Sequence, residues 1–296
     1  MICSNFVKLK YHNFPPISIM KFLALIVRYL NEPFFDEFVE YYLREGVDTI
    51  FVLYDIDSTI PISYDTQFNP RVVIIESTNF KIRQIQDVNQ VFLKKVKHKY
   101  TWVIFIDCDE FISTIKHKET TIREQLEHTY SQVDCIQIPW VMMSCNGRKK
   151  DPPSILQYLT TRWNHNLKHP HPHKWEKGRC RFKQIEVKSI SKCDKIDCLM
   201  LHHPVGNQLT VMESIQNKHI HLSPFFKNLR EEHIQNANMI CFHYRIFSLE
   251  SSERKMVNNK LDGYKRKNLQ FLLQSDYSEI NEFFMKEKSI ERFGEK

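Results

Sequence analysis

A buried strand that ends in three carboxylates is the feature of this sequence that most constrains its fold. Residues Trp102 to Ile106 are an unbroken run of aromatic and β-branched residues, which is typical of a strand buried on both faces. Asp107, Asp109 and Glu110 follow at once. So much negative charge at the end of a core strand indicates a nearby cation, because an unpaired charge is costly to bury.

Two interpretations of this acidic cluster are open at this stage. Aspartates separated by one residue can share a hard divalent cation such as Mn²⁺ or Mg²⁺, which keeps open positions for the phosphates of a ligand. Ligands of open α/β sheets bind beyond the carboxyl ends of the strands, which is where the cluster would lie. The alternative is a simple turn after the strand, since Asp is a favoured turn residue.

Composition narrows the function classes. The chain has 296 residues, of which 42% are hydrophobic, so it can bury a sizeable core and is not a disordered chain. Its 42 Lys and Arg against 35 Asp and Glu give a formal charge of +7, which is consistent with an anionic ligand but does not imply nucleic acid. The 8 cysteines include no C-x-x-C pair, so the sequence does not support a zinc-ribbon or a thioredoxin-like protein.

One segment, Ile17 to Leu30, could be mistaken for a membrane span. It is shorter than the ~20 apolar residues that a span needs, and Lys21 and Arg28 interrupt it. No small-residue cleavage site follows it, as a signal peptide would require. We therefore expect it to supply the first core strand of a soluble, cytoplasmic protein.

Strands and helices alternate along the first 112 residues. A strand over Phe22 to Arg28 precedes a helix that ends at Gly46, and a second strand spans Asp48 to Tyr54. Short strand–helix–strand connections imply right-handed crossovers and a parallel sheet, so we predict an α/β fold. The same patterns predict strands over Val72 to Glu76, Cys135 to Trp140 and Ile155 to Thr161, and helices over Lys81 to Lys97 and Glu119 to His128.

The predicted organisation has three parts. We expect an N-terminal arm over residues 1–16, a main domain over 17–248 and a C-terminal helical extension over 249–296 that packs on the core. Within the main domain, neighbouring parallel strands would bring Asn31 and Glu32 to the same edge of the sheet as Asp55 and Asp57.

The order of these motifs resembles that of GT-A type nucleotide-sugar glycosyltransferases, in the group that joins the family 2-like enzymes to glycosyltransferase family 92. The shared motifs are, in order, Asn31-Glu32, Gly46-Val47-Asp48, Tyr54 to Ser58, the helix that carries Gln84, Gln86 and Asn89, and Trp102 to Phe111. Further along, the Asn146-Gly147 turn, His202-His203 and His243-Tyr244 continue the likeness. Tyr158-Leu159 stands where that group has Arg-Phe.

The resemblance implies a GT-A fold, with a Rossmann-like, mostly parallel central sheet flanked by helices and with C-terminal helices. The implied reaction moves a sugar, with inversion, from a nucleoside-diphosphate sugar, UDP-sugar first, to a hydroxyl of a glycan, protein or lipid. Mn²⁺ (or Mg²⁺) would be held by Asp107, Asp109 and His243, with His203 as the second choice of histidine.

The remaining site residues follow from the same resemblance. Asn31, Glu32, Asp55 and Asp57 would hold the base and ribose of the donor, and Gln86 and Asp107 are further donor-binding candidates. Arg28, Arg83 or Lys174 would neutralise phosphate. Inversion needs a carboxylate that accepts the acceptor's proton; we predict Asp151, which follows the Asn146-Gly147 turn, with Glu110 as its rival.

Other functions remain open from the sequence. A metal-dependent phosphohydrolase also uses paired aspartates, although it would need more carboxylates or a nucleophile near the first strand. A GT-A module that binds nucleotide or sugar without turnover is a second alternative. No nucleic-acid-binding motif is present. The segment His165 to Lys177 fits either an exposed loop or a mobile lid that carries His171, His173 and Lys174.

Overall fold

The computed structural model describes residues 20–78, 80–169, 184–258 and 273–296, without the side chains of 80–82 and 255–258. The predicted N-terminal arm and the candidates His171, His173 and Lys174 lie outside the described residues. The predicted domain boundaries stay predictions. In the described part of the chain, no helix is long and apolar enough to cross a membrane.

Strands and helices alternate as predicted over the first half of the chain. The strands are β1 (Lys21–Tyr29), β2 (Thr49–Asp55), β3 (Val72–Ser77), β4 (Tyr100–Ile106), β5 (Glu110–Thr114), β6 (Cys135–Ser144), β7 (Thr161–Arg162), β8 (Gln184–Lys192), β9 (Cys198–Leu199), β10 (Pro204–Val205), β11 (Val211–Glu213), β12 (His219–Ile220), β13 (Phe225–Lys227), β14 (Met239–His243) and β15 (Ile280–Asn281). The helices are α1 (Phe35–Arg44), α2 (Tyr64–Gln67), α3 (Phe80–Val91), α4 (Ile122–His128), α5 (Ile155–Tyr158), α6 (Glu231–Gln235), α7 (Leu249–Asn258) and α8 (Phe284–Phe293).

Four parallel strands form one half of the main sheet, in the order β3-β2-β1-β4, with β3 at the edge. Side chains of β1 alternate between two apolar layers: Leu25 belongs to the cluster that includes Phe38 of α1, and Ile26 to the cluster that includes Phe92, just after α3. Helices therefore cover both faces of this sheet, as in the predicted GT-A-like fold. The winding reverses between β1 and β4, and such a switch point is where open α/β sheets bind ligands.

The other half of the sheet is mixed. β8 runs antiparallel between β4 and β6, so its first residues lie at the carboxyl end of β4. β14 pairs in parallel with β6 and in antiparallel with β5. These pairings bring the ends of β4, β6 and β14 and the start of β8 to one edge of the sheet.

Helix α1 forms for the reasons that the sequence predicts. Phe38 and Tyr42 lie on its buried face, four residues apart. The helix ends at Gly46, which has a φ of +93°, and the Val47 N–H donates to the carbonyl of Tyr42 at 3.1 Å. A Cβ at Gly46 would lie 2.4 Å from the Cβ of Arg123, so both backbone conformation and space require glycine there.

Two predicted elements differ in the structure. Residues 155–161 were expected to form a strand, but Ile155–Tyr158 is a helical turn and only Thr161 and Arg162 are extended. Ser154 caps the turn by accepting from the Gln157 N–H, and Glu37 of α1 accepts from the Ile155 N–H at 2.9 Å. The predicted helix to Lys97 also changes to a π-helical turn over Phe92–Val96.

The C-terminal helix α8 is attached to the core through a buried ion network. The ammonium of Lys288 lies 2.9 Å from a carboxylate oxygen of Glu45 and donates to Ser113 and Thr114 at 2.8 and 3.0 Å. Glu45 also pairs with Arg292, and its side chain has no exposed surface. Burial lowers the pKa of Lys288, and Glu45 opposes that effect.

We expect Glu45→Ala to lower the free energy of unfolding by ~3–5 kcal/mol, because it leaves a buried ammonium without its counter-ion. Glu40→Ala is the matched control on the same helix, since Glu40 is 39% exposed and its pairing with Arg44 is a surface one. Urea denaturation of both variants measures the difference. Equal midpoints for the two variants would show that the buried network contributes nothing beyond a surface pair.

Candidate active site

Three strand ends build a cluster of carboxylates and imidazole at the edge of the sheet. The turn after β4 carries Asp109, β5 begins with Glu110 and β14 ends with His243. The antiparallel register of β5 and β14 places Glu110 opposite His243. The Tyr244 N–H donates to the carbonyl of Asp109 at 2.8 Å, which fixes the turn against the end of β14.

The side chains of Asp109, Glu110 and His243 could hold a metal ion. One ligand atom from each lies within 4.8 Å of the others, and Nε2 of His243 is 3.6 Å from Oδ1 of Asp109. Glu110 has no exposed surface and His243 is buried as well. Two carboxylates and a neutral imidazole are suitable ligands for a divalent metal such as Mn²⁺.

A lysine that the sequence analysis did not single out lies beside this cluster. The ammonium of Lys188, on β8, is 2.8 Å from Oδ2 of Asp107 and 3.0 Å from Oε2 of Glu110, and only 1% of the side chain is exposed. Burial alone would lower the pKa of Lys188, but the two carboxylates raise it above its ordinary value. Burial raises the pKa of Glu110, and Lys188 opposes that rise.

Asp107 thus has a different environment from its two neighbours. It shares Lys188 with Glu110, and its carboxylate remains 40% exposed at the edge of the sheet. The metal group that the geometry favours contains Glu110, whereas the sequence analysis predicted Asp107 with Asp109 and His243. The role of Asp107 as a ligand stays a prediction.

Aromatic packing orients the histidines. The ring of Trp140, on β6, lies 4.3 Å from that of His243 and 5.4 Å from that of His202, between centroids. Burial and the charge of Lys188 lower the pKa of His202, and its Nδ1 is 3.1 Å from the carbonyl of Val187. His203, the second choice as a ligand, lies in the turn between β9 and β10 and is not in the group with Asp109.

Arg28 supplies a second buried cation at the switch point. It lies near the end of β1, is 4% exposed, and its backbone carbonyl accepts from the Cys108 thiol at 3.0 Å. Burial lowers the pKa of Arg28 to about 10, while the nearby carboxylates of Asp107 and Asp55 act to raise it. The structure therefore places Arg28 beside the acidic cluster, as the parallel order of β1 and β4 requires.

The residues predicted to bind the base and ribose of the donor lie at the same edge of the sheet. Two of them, Asn31 and Asp55, accept hydrogen bonds from backbone N–H groups of the following loop. The carboxamide oxygen of Asn31, which has a φ of +56°, accepts from the Ile60 N–H at 2.9 Å. Oδ1 of Asp55 accepts from the Asp57 N–H at 2.9 Å, and Asp57 itself is exposed. Glu32 is half-buried. Their contacts with a donor stay predictions.

Arg83 borders a cavity of about 460 Å³ between β3 and α3. Its Nε lies 3.4 Å from Oδ1 of Asp87, whose other oxygen accepts from the Ser77 hydroxyl at 2.6 Å. Gln86, on the same helix, is exposed and is not among the cavity's lining residues. The structure brings Arg83 close to the end of β3 and leaves its role toward phosphate a prediction.

Asp151 lies in the loop after β6 and contacts the start of α7, and it is not in the group with Asp109, Glu110 and His243. Its carboxylate accepts from the hydroxyls of Ser248 and Ser251 and pairs with Arg254. Burial would raise the pKa of Asp151, but these three partners lower it below the ordinary value. A carboxylate with a lowered pKa accepts a proton less readily, so this environment is that of a helix cap. The role of Asp151 as general base stays a prediction.

Comparison with known proteins identifies the family. The model of glycosyltransferase family 92 matches residues 82–282, which is more than half of the chain and includes the acidic turn, Lys188 and His243. The match begins in α3, so Arg28, Asn31 and Asp55 lie before it. A search of curated proteins found no match. This chain, with its GT-A-like fold, belongs to glycosyltransferase family 92 and is a glycosyltransferase.

Proposed function

We propose that this glycosyltransferase moves a sugar from a nucleoside-diphosphate sugar, UDP-sugar in the first instance, to an acceptor hydroxyl with inversion at the anomeric carbon. The observation that carries the proposal is the group formed by Asp109, Glu110 and His243 next to the buried cation Arg28 at the switch point of the sheet. This edge of the sheet therefore combines a candidate metal site with a positive charge that can pair with the phosphates of the donor.

The residues present fit a resident Mn²⁺ or Mg²⁺. Oε1 of Glu110 is buried and has no hydrogen-bond partner among the described residues, so a ligand role would satisfy it. Asp107, Asp109 and Glu110 carry three negative charges in their ionised forms, and Lys188 offsets one of them. Asp109, Glu110 and His243 would hold the divalent ion, which would stabilise the diphosphate as it leaves.

The chain's own residues have separate tasks in this proposal. Lys188 fixes the carboxylates of Asp107 and Glu110 at 2.8 and 3.0 Å. Trp140 holds the imidazole of His243 against the sheet edge. Arg28 contributes positive charge toward the phosphates from the end of β1. These groups are preorganised, so little reorganisation is needed when negative charge develops on the leaving group.

Of the two candidates for the proton acceptor, we retain Asp151. Glu110 has no exposed surface, so it cannot reach an acceptor hydroxyl without a rearrangement of β5. The Asp151 side chain is 20% exposed, and the loop that carries it follows β6 at the edge where the strands end. In this proposal Asp151 takes the proton as the hydroxyl oxygen attacks the anomeric carbon and the diphosphate leaves.

We expect one UDP-sugar, screened beside GDP-, CMP- and dTDP-sugars, to raise the melting temperature only when Mn²⁺ is present. At a ligand concentration about 100 times Kd, binding to the folded state adds about 2.7 kcal/mol. Asp109→Ala and His243→Ala should abolish this shift, and Asp194→Ala, at a carboxylate that is 71% exposed, should keep it. If no nucleotide sugar stabilises the wild type with or without metal, the proposed donor class is wrong.

We expect Lys188→Met to lower the free energy of unfolding by ~3–5 kcal/mol at neutral pH, because Glu110 loses its buried counter-ion. Without Lys188 the folded-state pKa of Glu110 rises further above its ordinary value of 4.5. When the pKa of a carboxyl is higher in the folded than in the unfolded protein, the folded state loses stability as the pH rises above the unfolded-state value. The destabilisation by Lys188→Met should therefore be smallest at acidic pH.

The double variant Lys188→Met/Glu110→Gln should recover part of the lost stability, since it removes the uncompensated charge. Urea denaturation of the wild type, both single variants and the double variant forms a double-mutant cycle. A double variant no more stable than Lys188→Met alone would contradict the assigned pairing.

Arg254→Met tests Asp151 as the general base through the pH dependence of kcat. Arg254 lowers the pKa of Asp151, so its removal should raise that pKa and move the acidic limb of the kcat profile to higher pH. Asp151→Asn should reduce kcat about 100-fold or more while the donor still stabilises the protein. An unchanged acidic limb in Arg254→Met would assign Asp151 to helix capping alone.

A further inference from the structure

Strand β3 forms an open edge of the main sheet. It is the last strand in the sheet order and, within the described ranges, pairs with β2 alone. Val73, Ile74 and Ile75 are partly exposed, and the strand contains no proline, glycine or lysine. Natural proteins usually block such an edge, because its free backbone N–H and C=O groups can pair with another chain. The sequence of β3 therefore favours the addition of a further strand.

A groove lies between this edge and α3. The cavity of about 460 Å³ has β3 on one side and the exposed side of α3, including Gln90, on the other. Leu53 and Val91 line it and belong to the apolar cluster on this face of the sheet, and Ile75 packs against that cluster. The groove therefore has an apolar floor. PDZ domains bind extended peptides at an open strand edge, where backbone hydrogen bonds supply affinity and side-chain pockets supply specificity.

The two ends of the groove differ in charge. Near the end of β3, Asp87 accepts from the Ser77 hydroxyl at 2.6 Å and lies 3.4 Å from Nε of Arg83. Lys94 follows Asp87 by seven residues, or about 10 Å at ~1.5 Å per residue, in the direction of the start of β4. Three residues of a strand span the same length, so Lys94 lies level with Ile74. An ion pair thus occupies one end of the groove and a lysine the other.

Lys94 and Lys95 are cations without a counter-ion at that second end. Both line the groove and are exposed, and neither forms an ion pair with another described residue. Glu76 borders the groove too, but side chains alternate along a strand, so it is on the face of β3 opposite to Ile75 and α3. The groove therefore has a net positive charge at this end.

A π-helical turn presents the two lysines. It covers Phe92–Val96, and the Lys97 N–H donates to the carbonyl of Phe92, five residues back, at 2.8 Å. Leu93, Lys94 and Lys95 within this turn are all exposed. π-helical turns are rare and are frequently found at functional sites. The turn is therefore a second feature, besides the open strand edge, that marks this groove.

A second copy of this chain is a poor occupant of the groove. Pairing of β3 with β3 of another copy would bring together two surfaces that each carry Arg83, Lys94 and Lys95 against a single Asp87 on the α3 side. Like charges that meet across an interface are unfavourable. An acidic segment has no such repulsion and supplies the counter-ions that the lysines lack.

We propose that the groove between β3 and α3 binds an extended acidic segment of a partner protein as an added strand of the main sheet. An apolar side chain of this segment packs on Ile75 and Val91. An acidic side chain two residues away is on the same face of the added strand and meets Lys94 and Lys95. Three strand spacings of ~4.8 Å, about 14 Å in all, separate β3 from β4, so the added strand lies outside the candidate active site.

The test screens the full chain against two libraries of ten-residue peptides. One is built from Asp, Glu, Val, Ile and Thr, and the other has Lys and Arg in place of the two acids. We expect the tightest binders to come from the acidic library and to slow amide hydrogen exchange across Val72–Ser77, because an added strand hydrogen-bonds to β3.

Charge reversal tests the role of the lysines. Lys94→Glu/Lys95→Glu should weaken binding of the best acidic peptide by about tenfold or more, measured by fluorescence anisotropy. Lys116→Glu/Lys118→Glu is the matched control, because these two lysines are also exposed but do not line the groove. The control variant should bind the peptide as the wild type does.

Two N-methylated versions of that peptide test the strand geometry. Alternate residues of a strand direct their N–H groups to the same edge, so methyl groups on one alternate set should abolish binding and those on the other set should leave it intact.

Four results would overturn the inference. The first is a lack of binding from the acidic library, or equal binding from both libraries. The second is an equal effect of the two N-methylation patterns, which would indicate attraction without strand addition. Displacement of the peptide by UDP with Mn²⁺ would assign the groove to a nucleotide. A dimer of the free chain that Lys94→Glu/Lys95→Glu strengthens would assign the edge to a second copy.

Discussion

The ammonium of Lys188 between Asp107 and Glu110 is the interaction on which the acidic edge of this protein depends. Core strand β4 ends in three carboxylates, and Glu110 is buried without any exposed surface. A buried carboxylate is costly in its ionised form unless a counter-ion lies within a few ångströms. Lys188 meets that need from a neighbouring strand, at 2.8 and 3.0 Å from the two carboxylates. Lys188 and Arg28 bring two positive charges to an edge that carries the three carboxylates of Asp107, Asp109 and Glu110, so negative charge remains that a ligand or metal can offset.

The mixed topology of the sheet explains how this cluster assembles. The parallel strands β1 and β4 bring Arg28 to the acidic turn, and the antiparallel strand β8 brings Lys188 to the same edge. The register of β14 with β5 and β6 then places His243 opposite Glu110 and next to Trp140. Lys188 lies in the middle of β8, opposite Ile138 of β6, and this register sets its ammonium beside the end of β4.

The C-terminal part of the chain stabilises the core away from the acidic edge and also fixes the turn after β6. Lys288 of α8 pairs with Glu45 and donates to Ser113 and Thr114, at the end of β5 opposite to Glu110. Asp276 accepts from the thiol of Cys145 in the turn after β6. Arg162 of β7 pairs with Glu282 and Glu231, each at 2.7–2.8 Å, which ties the same segment to α6. The last residues therefore stabilise the core and fix the turn after β6.

The sequence by itself determined the local elements: the buried strand before Asp107, the helix that ends at Gly46, and the parallel βαβ units that align Asn31 with Asp55. These follow from apolar periodicity and from glycine's freedom at positive φ, which act over a few residues. Only the tertiary structure decided that Lys188 is the counter-ion, that Glu110 joins Asp109 and His243, and that Ile155–Tyr158 is helical. Lys188 is one lysine within an otherwise unremarkable strand, and its partner Asp107 is 81 residues away. The helical turn depends likewise on Glu37, 118 residues from the N–H that it accepts from. No local pattern encodes such distant pairings, because they arise from strand register and burial.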